Sequence, residues 1–185
     1  LEKPAVMDHL DEIVNLSDAI MVARGDLGVE VPPEEVPALQ KRIVFTCRAA
    51  GKPGVVATQM LESMTTSPMP PRAEVTDVAN AVFDGTDAVM LSGETAIGVD
   101  PPLVVRRMSD ILIEAEANAI FPTLPKTDRS MDSAISQVVP MLVKEIESKL
   151  VVSPLTSGST AVRISRQRIG VPILAGVSTE RDARR

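Results

Sequence analysis

One cysteine, one histidine, no tryptophan and no tyrosine occur in 185 residues, and three phenylalanines are the whole aromatic set. Each shortage removes a class of chemistry. The lone Cys47 excludes an internal disulfide and any Cys-rich zinc site, and the lone His9 excludes a multi-histidine metal centre. Without Trp or Tyr, stacking platforms for nucleic-acid bases are missing. The net charge is −6 and basic residues never cluster into a block, so no electrostatic footprint of nucleic acid or an anionic membrane is visible. No apolar run reaches the roughly 18 residues of a membrane helix, and no signal-peptide pattern opens the chain. The expectations are therefore no nucleic-acid partner, no membrane partner and a cytoplasmic location. Asn15-Leu16-Ser17 fits a glycosylation sequon, and Arg24-Gly25-Asp26 fits an adhesion tripeptide; in such a chain both read as coincidence. Any catalysis must rest on carboxylates, hydroxyls, backbone amides and basic side chains.

What is present is an ordinary globular composition, 44% hydrophobic and 24% charged, enough for one domain or two small ones. The centre of interest is the stretch at residues 21–28. A short apolar run, Ala19 to Val22, fits a strand of a parallel sheet. Gly25 and Gly28 follow it and let the backbone turn tightly and approach a ligand. Asp26 between them is a carboxylate at the C-terminal end of a strand, where α/β folds place their sites; by itself it reads equally as a helix cap.

The same unit recurs. Residues 5–16 suit a helix with Met7, Leu10, Ile13 and Val14 on one side. After Pro32 and Pro33, apolar residues at Val36, Leu39, Ile43, Val44 and Cys47 describe a second helix, with Gly51 as its stop; Cys47 there is a core residue. A strand at residues 55–58 ends on Thr58, a helix over 73–84 ends at Gly85, and a strand at 88–91 opens into Ser92, Gly93 and Glu94. The strands repeat every 33 to 36 residues or so, yet the helices share no signature positions, which rules out a repeat solenoid. Polar residues after the same end of every strand describe part of a β/α barrel or an open α/β sheet. A helix from Pro101 to about Ala119 closes this part.

Residues 121–129 read as a linker. Beyond it, Ile135, Val139, Leu142, Val143 and Ile146 predict a helix that Pro140 should kink or divide. A strand near 150–152, a hydroxyl-rich loop from Thr156 to Thr160, a helix to about Arg168 and a strand at 173–177 describe a second α/β domain. The chain begins as if within a strand and breaks off at Arg185, so it reads as incomplete at both ends.

Two anion or cation candidates emerge. Asp26, Thr58 and Ser92 with Glu94 occupy equivalent positions after three strands, and Glu2, at the tail of a preceding strand, could add a second carboxylate for magnesium, which needs only one or two. The loop 156–160 precedes a helix and could take an anion or simply cap it. Neither a P-loop nor a dinucleotide fingerprint occurs. His9 lies on a polar face and reads as a surface residue.

Five ordered motifs carry more than pattern: LEKP at 1–4, MVARGDLGVE at 21–30, AGKPGVVATQMLESM at 50–64, PPRAEVTDVANAVFDG at 70–85 and LSGETAIG at 91–98. Together they closely resemble pyruvate kinase, densely through residue 120 and more loosely beyond. The resemblance implies a partial TIM-type β/α barrel over 1–120, the linker 121–129, and the start of an α/β regulatory domain over 130–185. It implies phosphoryl transfer from phosphoenolpyruvate to ADP, giving pyruvate and ATP, with Mg²⁺ and commonly K⁺, the K⁺ ligands lying outside this chain. Glu2 and Asp26 would hold the Mg²⁺, and the Gly25 and Asp26 amides would receive the substrate carboxylate. Thr58 would stand near the enol carbon that gains a proton, and Ser92 on the nucleotide side. A homo-oligomer, usually a tetramer, is also implied.

The departures bear on function. The family's transition-state lysine would precede Leu1, and Lys3 does not replace it; the 185 residues alone are expected to be inactive. In the loop that resembles an effector-phosphate site at Ser157, Gly158 and Thr160, Leu155 replaces a common hydroxyl and Ser159 a common basic residue, which argues against sugar-phosphate regulation. Two alternatives stay open: another Mg²⁺-dependent barrel enzyme acting on phosphoenolpyruvate or a keto acid, such as a lyase or aldolase, and a non-catalytic assembly module.

Overall fold

The computed structural model describes residues 1–124, 130–154 and 159–183. Two compact units result, Leu1–Pro122 and Thr123–Arg185. The first begins with a 3-10 helix, Pro4–Asp8, and α1, Leu10–Leu16. One continuous helix was expected over 5–16; His9 divides it at φ −124°, ψ 21°. Then follow β1 (Ile20–Ala23), α2 (Arg24–Glu30), α3 (Val36–Ala50), β2 (Gly54–Ala57), α4 (Arg72–Asp84), β3 (Ala88–Met90), α5 (Gly93–Ala96) and α6 (Pro101–Asn118). Gly51 and Gly85 end α3 and α4 at φ 69° and 92°, the left-handed conformation that glycine reaches without a Cβ penalty.

The three strands form one parallel sheet in the order β1-β2-β3. Ala23 lies opposite Ala57 and Ala57 opposite Met90, so the three strands end level and their following loops start at one edge. Side chains alternate across the sheet. Val22 and Val56 are fully buried in a cluster with Leu10, Val14, Ile43, Val44, Cys47, Val78 and Ala81 from the helices, whereas Met21, facing the other way, is 40% exposed. The continuous apolar run predicted a strand covered on both sides. The structure covers one face, with α1, α3 and α4, and the second face of β1 and β3 is open to solvent near Met21 and Ala88.

The second unit contains α7 (Met131–Glu145), β4 (Val151–Pro154), α8 (Ser159–Ser165), β5 (Ile173–Gly176) and α9 (Glu180–Ala183), with β4 and β5 parallel. Pro140 sits inside α7 without dividing it: the missing N–H costs one intrahelical bond, and fourteen other residues carry the helix through. The apolar positions that predicted the helix are only partly turned inward, Val143 being the buried one. Ile135, Leu142 and Ile146 are exposed, and Ser133, Ser136 and Val143 are buried, because α7 rests on α8 through the neighbouring side of the helix.

A backbone contact near the sheet edge yields a stability prediction. A Cβ at Gly98 would overlap the Glu94 carbonyl oxygen and approach the Met64 carbonyl oxygen to 3.4 Å. Gly98→Ala is expected to destabilise the first unit by about 3 kcal/mol, the upper end of overpacking costs, read as a lowered midpoint in denaturant unfolding.

Candidate functional site

The level strand ends set the site. One residue after β1 comes Arg24, and one residue after β2 comes Thr58, each at the C-terminal edge of the sheet. Thr58 and Gln59 adopt φ of 69° and 54°, a left-handed conformation that is uncommon for non-glycine residues and an outlier for a β-branched one. Two consecutive residues held there cost on the order of 1–3 kcal/mol each. Arg24, 9% exposed, holds them. Its Nη2 donates to Thr58 O at 2.7 Å and Gln59 O at 3.1 Å, and its Nε to Thr58 O at 3.3 Å. Its Nη1 pairs with Asp77 Oδ1 at 2.7 Å, so the buried guanidinium has a counter-charge.

On the side-chain side, Thr58 Oγ1 donates to Ala57 O at 2.6 Å and accepts the Gly25 N–H at 2.7 Å. Gly25 and Thr58 are thus brought into direct contact. A Cβ on Gly25 would stand 3.4 Å from that hydroxyl. The chain enters α2 directly after β1, and Gly25 there serves the close approach of the two loops. Asp26 follows in the first turn of α2, exposed, with no hydrogen bond or ion pair among the described residues. Glu2 is also exposed, with no hydrogen bond or ion pair among the described residues. Leu1 beside it binds β1, its N–H donating to Met21 O and its carbonyl accepting from Ala23 N–H at 3.2 Å, so Glu2 follows a stretch aligned with β1.

Ser92 is not hydrogen-bonded to Gly25, Asp26 or Thr58 among the described residues. Its tie to the site runs through Glu94. This carboxylate is fully buried and accepts from Ser92 N at 2.7 Å and Leu61 N at 3.1 Å, linking the loops after β2 and β3. Glu94, placed by the sequence beside Ser92 as a candidate for a cation and phosphate site, has both oxygens serving backbone N–H groups. In the loop 156–160, Thr156, Ser157 and Gly158 lie outside the described residues, and Ser159 and Thr160 open the short α8.

Among the described residues, two clefts of similar size bear on the site. One of about 430 Å³ is lined by Arg24, Gly25, Gln59 and Asp77 among others. The other, about 440 Å³, lies between α4 and α6 with walls from Val75, Phe83 and Ile111 and holds none of the sequence-marked residues. Of the candidate site residues the first holds Gly25, while Glu2, Asp26, Thr58 and Ser92 are not among its walls. Arg24 was missed as a functional residue because its partners lie 16 to 53 positions away; the available signal was a charged residue placed directly behind a strand.

Cys47 is 1% exposed. Burial, with the Asp87 carboxylate adding to it, raises its thiol from 9.0 to about 11. This matches its reading as a core residue, since the thiolate is the reactive form.

Outside comparisons agree on one family. The profile described as pyruvate kinase, barrel domain, matches residues 1–105. A pyruvate kinase of Sporosarcina psychrophila is 47% identical, aligned over 100% of this chain and 32% of its own length. One from Thermotoga maritima is 46% identical over 95% of this chain and 38% of its own. A crystal structure of a pyruvate kinase from Cryptosporidium parvum superposes with a TM-score of 0.89 at 42% identity, covering 100% of this chain and 39% of that one. The chain thus spans about a third to two fifths of the length of the relatives it matches.

Two measurements check these assignments. Glu94→Gln keeps the shape but turns an NH₂ towards a backbone donor, and is expected to cost about 1–3 kcal/mol in unfolding free energy. For Cys47, the folded state binds the proton more tightly than the unfolded one, so its contribution to stability is complete below pH 9.0 and is lost as the pH rises towards about 11. Cys47→Ala is expected to flatten that alkaline decline in a pH series of thermal unfolding.

Proposed function

The chain belongs to the pyruvate kinase family, and on that premise we propose that residues 1–122 contribute the metal and proton-delivery side of a site that transfers a phosphoryl group from phosphoenolpyruvate to ADP. In this reaction the phosphorus–oxygen bond to the enol oxygen breaks and one to a terminal ADP oxygen forms. The enolate left behind takes a proton at its methylene carbon and becomes pyruvate. The observation that supports this reading most directly is the 2.7 Å contact between Gly25 N and Thr58 Oγ1, which brings the loops after β1 and β2 together at one edge of the sheet.

The residues present fit a Mg²⁺ ion. Glu2 and Asp26 are exposed carboxylates with no hydrogen bond or ion pair among the described residues, and one or two carboxylates are what suits an ion that keeps water and substrate oxygens in most of its shell. Such an ion supplies positive charge to the substrate oxygens. The protein does the rest. The first turn of α2 has no intrahelical acceptors, so its N–H groups at Gly25 and Asp26 can receive the substrate carboxylate, Gly25 exchanging its bond to Thr58 for one to substrate. Thr58 Oγ1, one donor with two acceptor positions, then faces the enol carbon and orients the arriving proton. Charge stabilisation and positioning of this kind are most of what phosphoryl transfer asks of a protein. The K⁺ ligands implied by the family lie outside these residues. Ser92 belongs to the nucleotide side, and the assembly is a homo-oligomer.

In a full-length family member carrying residues 1–185, phosphoenolpyruvate, ADP and Mg²⁺ are expected to give pyruvate and ATP in equal amounts. Pyruvate without ATP would favour a lyase or aldolase instead. Asp26→Asn is expected to raise the Mg²⁺ concentration for half-maximal rate by roughly 10–100-fold, measured by metal titration of the steady-state rate.

A further inference from the structure

Resting on the phosphoryl-transfer reading, we propose that Arg24 is a positioning residue: it acts through the backbone of Thr58 and Gln59 to hold the Thr58 hydroxyl at the carbon that gains a proton. Arg24 does not touch that hydroxyl. Its donors reach the carbonyl oxygens of the two left-handed residues, Thr58 O at 2.7 and 3.3 Å and Gln59 O at 3.1 Å, while Thr58 Oγ1 is bonded to Gly25 N and Ala57 O. The guanidinium therefore sets the backbone conformation, and the backbone conformation sets where the hydroxyl stands. With φ at 69° and 54°, both residues would relax to negative φ if the two carbonyls were released, and the Thr58 side chain would swing away from Gly25.

The grip is itself oriented. Nη1 binds Asp77 Oδ1 at 2.7 Å and Gln40 Oε1 at 3.4 Å, and Gln40 Nε2 binds Asp84 Oδ2 at 2.9 Å. Asp77 and Asp84 lie on α4 and Gln40 on α3, so two helices fix the plane of the fork. A planar fork is what a lysine cannot supply: its ammonium could meet Asp77 but not span both carbonyls and the carboxylate in one plane.

The test is a double-mutant cycle in a full-length family member carrying residues 1–185, comparing Arg24→Lys, Thr58→Ala and the pair. Arg24→Lys is expected to lower kcat by roughly 10²-fold, the cost of a misplaced group, with KM for ADP unchanged. It is also expected to slow exchange of the pyruvate methyl hydrogens with D₂O in parallel. In the Thr58→Ala background the same substitution is expected to do nothing further, since two residues acting through one group do not add. Undiminished kcat in Arg24→Lys, or losses that multiply in the double variant, would overturn the proposal and leave Arg24 a purely structural residue. Full activity in Thr58→Ala would instead overturn the role of Thr58 in the reading on which this rests, a separate result. Should Arg24→Lys fail to fold, Asp77→Asn gives the same comparison: a smaller kcat loss that vanishes in the Thr58→Ala background supports the proposal, and one that persists overturns it.

Discussion

A buried guanidinium facing two strained carbonyls is the interaction on which the organisation of the first unit turns. The Arg24 guanidinium is largely removed from water, a state that is costly unless every donor finds an acceptor. It finds Asp77, Gln40, Thr58 O, Gln59 O and the Met60 sulfur. In one step this joins the end of β1, the end of β2 and the inner faces of α3 and α4. The energy released by satisfying the ion offsets the backbone strain at Thr58 and Gln59, so the strain is stored at the place where a hydroxyl has to be held in an unusual direction.

The parallel sheet makes that exchange possible. Because β1, β2 and β3 end level, their following residues meet at one edge, and short loops suffice to bring them into contact. Two buried charged residues then lock the loops from different sides. Arg24 donates to carbonyl oxygens at the start of the loop after β2, and Glu94 accepts the Leu61 N–H three residues later while also accepting the Ser92 N–H from the loop after β3. A cation meeting C=O groups and an anion meeting N–H groups follow the same rule: buried charge is kept where backbone dipoles and counter-charges neutralise it. The carboxylates left free of this network, Glu2 and Asp26, are the exposed ones.

The apolar layer underneath is one-sided. Val22 and Val56 pack against helices, and Met21 on the opposite face stays accessible. The same incompleteness shows in the second unit, where α7 exposes Met131, Ile135, Met141 and Leu142. The chain covers under half the length of the relatives compared with it.

Local chemistry made much of this readable in advance. Apolar runs bounded by Gly51 and Gly85 marked where helices stop, because only glycine takes the left-handed cap cheaply, and the spacing of Thr58 behind an apolar run put it at a strand end. Family motifs then attached roles to Glu2, Gly25, Asp26, Thr58 and Ser92. Elsewhere local rules misled: His9 divided a helix that periodicity made continuous, and the buried face of α7 is not its most apolar one. The functions of Arg24 and Glu94 lay beyond any local reading, since each depends on backbone groups more than thirty residues away. Sequence by itself determined where the three strands lie and where α3 and α4 stop, because those are short-range matters of periodicity and capping. Only the tertiary structure decided which strand-end residue is strained, which charge is buried to hold it and which carboxylates remain free, because burial and strain arise when distant segments are packed together.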